Sequence, residues 1–253
     1  MKALKMTCPG RQGEMHGRLP DSILQSNRII AGSVRNPWDW YVSVWAYGCD
    51  GEGVLYDRLT GARKLLGHGY RSSLLTGVSN CLHELCRPRR PWRETYNDSS
   101  SPVLFRRWLT DLLDPERSRG LGENYTRSSL SRFAGFYTYR YCYLFHRTLE
   151  HLYDGTANNT ETLREADKKL NIIQHMLKTE QLTDGILELF EVAGISLDGR
   201  IREKIIQMNR TNPSSRKKDC SFYYNKETSD LVGRRDALIV EQYGYSPPEI
   251  KVL

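Results

Sequence analysis

Several features are scarce or missing in this 253-residue chain, and each absence narrows its reading. The six cysteines (Cys8, Cys49, Cys81, Cys86, Cys142 and Cys220) form no dense framework. The chain is also far longer than a disulfide-stapled module, so reduced, structural thiols are expected. Cys81-Leu82-His83-Glu84-Leu85-Cys86 offers metal-ligand types, but no second cluster of matching spacing accompanies it, and no metal is expected. No run approaches the roughly 18 apolar residues of a membrane span. The first residues lack the apolar core of a signal peptide. There is no internal repeat, no low-complexity tract and none of the common nucleic-acid recognition motifs. The chain as written therefore reads as cytoplasmic. Four Asn-x-Ser/Thr sequons begin at Asn97, Asn124, Asn158 and Asn209, and they matter only on a secretory route.

What is present fits one domain of the α/β class. A chain of this length can bury a sizeable core without dividing. Its net charge of +7 suits an anionic ligand, whether nucleotide, acidic glycan or nucleic acid, and chooses none of them.

The most informative stretch runs from Arg28 to Ser43. Ile29 to Val34 is a short, mostly apolar run that predicts a parallel strand covered on both faces. Asn36 can cap the following helix, Pro37 suits its first position, and Asp39 complements the positive end of its dipole. Arg35 stands at the junction, and Ser43 returns two turns later to the same helix mouth. A forked cation and a hydroxyl at a helix start suit a bound phosphate.

Arg35-Asn36-Pro37-Trp38-Asp39-Trp40-Tyr41-Val42-Ser43 resembles the 3'-phosphate-binding motif of sulfotransferases that use 3'-phosphoadenosine-5'-phosphosulfate (PAPS). Two later stretches resemble the same family, in the expected order. Leu177-Lys178-Thr179-Glu180-Gln181-Leu182-Thr183-Asp184-Gly185-Ile186 looks like its later strand end and the helix that follows. Tyr223 to Tyr245 looks like the C-terminal helix of bacterial and carbohydrate-type members.

The resemblance implies a P-loop-NTPase-like parallel sheet flanked by helices, in a single domain spanning 1–253. It implies that Arg35 and Ser43 bind PAPS, with Ser214, Ser215, Arg216 and Lys217 as further candidates before the last helix. It also implies a base that takes the acceptor proton. His16 is the candidate, with Glu14 beside it as a glutamate alternative. The implied reaction moves a sulfuryl group from PAPS to a hydroxyl or amine, with glycans slightly ahead as acceptors, and needs no metal.

One departure stands out. Family members begin with a strand and a phosphosulfate-binding loop of the form Pro-Lys-(Thr/Ser)-Gly-(Thr/Gly)-Thr, and no such segment precedes Arg35. Met1 to Met6 instead reads as the helix after that loop, so the chain is expected to start one strand and one loop late. A Golgi anchor in front of Met1 would change the compartment. Two rival readings follow: a PAPS-binding protein without turnover, and a basic nucleic-acid-binding module.

Elsewhere, Gly48 to Pro102 predicts a long, partly irregular insertion. Helices are expected over Trp38–Tyr47, Val103–Leu113, Ser128–Leu152, Thr183–Ala193 and Lys226–Tyr243, and a second parallel strand over Ile172–Leu177. Gly194 and Gly244 are placed to end helices.

Overall fold

The computed structural model describes residues 18–25, 28–61, 90–116, 125–207, 216 and 218–250. It contains a two-stranded parallel sheet, β1 (Ala31–Val34) and β2 (His175–Lys178), pairing Ala31 with His175 and Val34 with Lys178. Parallel neighbours need a long crossover, and here the crossover carries helices. These are α1 (Pro37–Cys49), α2 (Val54–Thr60), α3 (Arg90–Thr95), α4 (Pro102–Leu113) and α5 (Phe136–Phe145), followed by α6 (Thr160–Leu170). After β2 come α7 (Leu182–Val192), α8 (Gly199–Ile206), α9 (Cys220–Tyr223), α10 (Lys226–Arg235) and α11 (Ala237–Tyr243). A parallel pair flanked by helices is an α/β arrangement, as expected.

The core is unusually aromatic. Trp38, Tyr41 and Trp45 line the inner face of α1 at helical spacing, and meet Phe105, Trp108, Tyr223 and Tyr224. Edge-on ring contacts recur there, as between Trp45 and Phe105 at 5.4 Å and Phe105 and Tyr224 at 5.0 Å. The buried hydroxyls and indole nitrogens are satisfied: Trp38 Nε1 donates to Ser229 O, Trp45 Nε1 to Thr95 O, and Trp108 Nε1 to Tyr96 Oη. A smaller cluster of Leu177, Ile186, Phe190 and Ile205 seats α7 and α8 beside β2.

Four expectations need correction. The first strand is shorter than Ile29–Val34 and is not covered on both faces: Ala31 and Ser33 are exposed, and only Val34 is buried. The second is shifted from Ile172–Leu177 to His175–Lys178, because Asn171 to Ile173 instead bond back to the end of α5 and to their own turn.

The third concerns Ser128–Leu152, which is two short 3-10 turns around α5 and no continuous helix. Gly135 explains the break before α5, since its backbone passes so close to Asp236 that a Cβ would meet the carboxylate at 2.4 Å. Gly135 offers α5 no capping side chain. Asp236 supplies the cap from another element, accepting from Thr138 N at 2.8 Å and Thr138 Oγ1 at 2.7 Å. The fourth follows from the third: Lys226–Tyr243 is divided into α10 and α11 at Asp236, whose backbone leaves the helical region as its side chain turns inward.

Other expectations hold. Helices cover Pro37–Cys49, Pro102–Leu113 and Leu182–Val192, and Gly244 closes α11 in the left-handed conformation at φ 61°. The stretch 48–102 contains the short helices α2 and α3, while Cys81–Cys86 lies outside the described residues. Cys49, Cys142 and Cys220 are free thiols.

Candidate functional site

Both strands point their C-terminal ends at one place, the position where open α/β sheets bind ligands. From β1 the chain runs through Arg35 into α1. Asn36 caps that helix as its sequence predicts, its side-chain oxygen accepting from Trp38 N at 3.0 Å and Asp39 N at 3.4 Å. Asp39 lies in the first turn, and Arg35 Nε donates to its Oδ2 at 2.6 Å.

A second guanidinium arrives from the far end of the sequence. Arg216 donates through an NH2 nitrogen to Asp39 Oδ1, so the two arginines share one carboxylate. All three side chains are largely buried, at 23% exposure for Arg35, 18% for Asp39 and 15% for Arg216. Burial pushes the Asp39 carboxyl up, but the charges and hydrogen bonds of Arg35 and Arg216 outweigh it and hold the carboxyl below its ordinary value. Two cations share one anion at the first turn of a 13-residue helix, with the Glu180 carboxylate on the neighbouring Asn36 N–H. One Arg216 nitrogen, NH1, is also buried and has no hydrogen-bond partner among the described residues. Its N–H is a donor without an acceptor.

Ser43 stands four residues beyond Asp39, on the same face of α1, and is partly exposed. Among the described residues no hydrogen bond joins it to either guanidinium. The structure thus brings Arg35 and Arg216 together and leaves Ser43 one turn further along. His16, Glu14, Ser214, Ser215 and Lys217 lie outside the described residues, as do Met1 to Met6.

The Arg35–Asn36 junction is bolted by groups that the sequence did not single out. Tyr137 Oη accepts from Arg35 N at 2.8 Å and donates to Arg35 O at 3.3 Å. Glu180, just past β2, accepts from Asn36 N at 2.7 Å. Lys178 donates to Tyr243 O at 2.6 Å and lies 5.2 Å from the Tyr245 ring centre. The only sequence signal for Glu180 was its place at the later strand end; Tyr137 sat unmarked in an aromatic-rich run.

At the opposite end of the sheet lies a second polar cluster. His146 Nε2 meets Asp167 Oδ1 at 2.8 Å and its Nδ1 meets His151 Nε2 at 2.9 Å, all three residues being buried. Among the described residues no group of three or more His, Cys, Asp or Glu is arranged to hold a metal ion. Nor is any helix among them long and apolar enough to cross a membrane.

No protein-family model matches this chain, and neither a curated protein nor a solved structure does. The functional reading therefore rests on the residues at the strand ends.

Proposed function

We propose that the chain binds a 3',5'-bisphosphorylated adenine nucleotide at Arg35, Ser43 and Arg216, and that it is a PAPS-dependent sulfotransferase. The observation that carries this reading is the convergence of Arg35 and Arg216 on Asp39 at the mouth of α1. The paired guanidiniums and the Arg216 nitrogen left without an acceptor among the described residues suit a phosphate dianion. The Arg216 segment was a candidate by resemblance alone, and its arrival beside Arg35 supports the assignment independently of that resemblance. On this reading β1 and β2 are adjacent strands of a P-loop-NTPase-like sheet, with the nucleotide across their C-terminal ends.

The chemistry is an in-line transfer. The acceptor oxygen or nitrogen bonds to sulfur as the bond from sulfur to the phosphate oxygen breaks, and the acceptor proton passes to a base. Arg35, Ser43 and Arg216 position the nucleotide for that displacement. His16 is the proposed base. The acceptor class is a hydroxyl or amine compound, with glycans first in order of trial.

Calorimetric titration with adenosine 3',5'-bisphosphate tests the binding half. Affinity should weaken at least tenfold in Arg35→Ala and in Ser43→Ala, the loss expected for one charge-assisted or phosphate-bound contact. Unchanged affinity in both variants overturns the assignment. Transfer from PAPS to any member of a mixed acceptor panel then separates an enzyme from a protein that binds without turnover.

A further inference from the structure

We infer that Glu180 is a positioning residue for this anion site, tying the C-terminal segment to the peptide that presents Arg35. The inference rests on the proposed nucleotide reading of the Arg35 site. Three elements remote in sequence hold the Arg35–Asn36 junction. Tyr137 grips the Arg35 backbone from α5. Glu180 grips the Asn36 N–H with Oε1 from the turn after β2. The carbonyl of Ser246 accepts from Asn36 Nδ2 at 3.4 Å.

Glu180 is the member that ties the C-terminal segment to the junction. Its second oxygen accepts from Tyr245 Oη at 3.2 Å, so one carboxylate bridges the segment after α11 and the cap of α1. That segment is itself anchored, because Lys178 donates to Tyr243 O and sits over the Tyr245 ring. Asn36 fixes the first turn of α1, and Arg35 immediately precedes it. A shift of the Asn36 peptide therefore moves the Arg35 guanidinium relative to Arg216. Misplacement of a binding group by about an ångström can cost two orders of magnitude in function.

The carboxylate acts here as an acceptor of two hydrogen bonds and does not itself touch the anion. A glutamine can do the same work, offering its carbonyl to Asn36 N–H and its NH2 to the Tyr245 oxygen. This separates positioning from charge. A carboxylate that merely repelled the ligand would raise affinity when neutralised, in Gln and Ala alike.

The test is titration of the full chain with adenosine 3',5'-bisphosphate, together with hydrogen exchange at the Asn36 amide. Glu180→Ala should weaken binding roughly tenfold and speed Asn36 exchange, whereas Glu180→Gln should stay within about twofold of wild type in both. In an Arg35→Ala background, Glu180→Ala should add nothing. Equal affinity of wild type and Glu180→Ala overturns the inference, as does an equal loss in Glu180→Gln. If Arg35→Ala also binds like wild type, or wild type does not bind, the nucleotide reading itself falls. Should Glu180→Ala fail to fold, Tyr245→Phe removes only the bridge from the C-terminal segment. Weaker binding at an unchanged melting temperature then supports the inference, and unchanged binding overturns it.

Discussion

Arg216 reaches the Asp39 carboxylate across 177 residues of sequence and there meets Arg35, which precedes Asp39 by one helical turn. Asp39 is the counter-ion that lets two guanidiniums lie side by side in a largely buried place. Losing it exposes their mutual repulsion. Asp39→Asn should therefore destabilise the fold by about 1–2 kcal/mol at neutral pH, the pair being partly screened. The folded carboxyl titrates below its unfolded value of 3.8. Its stabilising effect is thus present above that value and is lost as pH falls through the lower folded value. Urea midpoints of wild type and Asp39→Asn should converge on acidification. Parallel curves at all pH values would show that the carboxylate charge is irrelevant.

A second prediction concerns the break that the sequence concealed. Gly135→Ala should cost about 3 kcal/mol or more, because the new Cβ meets the Asp236 carboxylate, which hydrogen bonds from Thr138 and Tyr41 hold in place. Asp236→Ala should cost a similar amount, stranding Thr138 N–H, its hydroxyl and the Tyr41 hydroxyl. Asp236→Asn should be much milder. Burial raises the Asp236 carboxyl above its ordinary 3.8, against the lowering pull of the Thr138 and Tyr41 hydrogen bonds. A raised folded value means a contribution that is fully present below 3.8 and fades as pH rises through the folded value. The asparagine variant should lack that dependence. Chemical denaturation of the three variants across acid pH checks the order, and equal losses in Asn and Ala would refute the capping role.

The helix start at Asn36-Pro37 and the parallel pairing of the two strands were legible, because caps and apolar runs are local signals. The Arg35–Asp39 contact was within reach of a helical spacing argument. Arg216 was legible only through the family resemblance, since the carboxylate it meets lies in another element. What stayed hidden were the breaks at Gly135 and Asp236. Each segment alone has good helical periodicity, and the approach of Gly135 to Asp236 interrupts both. The His146–Asp167 contact was hidden for the same reason: one partner ends α5 and the other lies within α6.

That buried relay gives a third prediction. His146 stands between the Asp167 carboxylate and His151, with one ring nitrogen turned to each. The remaining nitrogen, His151 Nδ1, is buried and has no hydrogen-bond partner among the described residues. Burial, then the neighbouring His146, pushes His151 from 6.5 down to about 4, against the opposing pull of Asp154, Glu150 and Asp167. The unfolded chain thus takes up a proton that the folded one refuses. Stability should fall by about 2 kcal/mol as pH drops from 6.5 towards about 4. In His151→Gln, whose amide offers His146 both a donor and an acceptor, the fall should be clearly shallower. An identical slope in the variant would mean that acid lability arises elsewhere.

The last prediction isolates the hydroxyl behind Arg35. The Tyr137 ring stacks on Trp40 at 4.4 Å, with 12° between planes, and its hydroxyl holds the Arg35 backbone. Tyr137→Phe keeps the stack and removes only the grip, so the partly buried Arg35 N–H loses its acceptor. A cost of about 1–2 kcal/mol in stability is expected from one unsatisfied backbone donor. If the grip also aims the guanidinium, affinity for adenosine 3',5'-bisphosphate should drop severalfold, beyond what partial unfolding removes. Titration well below the melting temperature, where both proteins are fully folded, separates the two effects. An intact affinity there would confine Tyr137 to the core and leave the aim of Arg35 to Asp39 and Glu180.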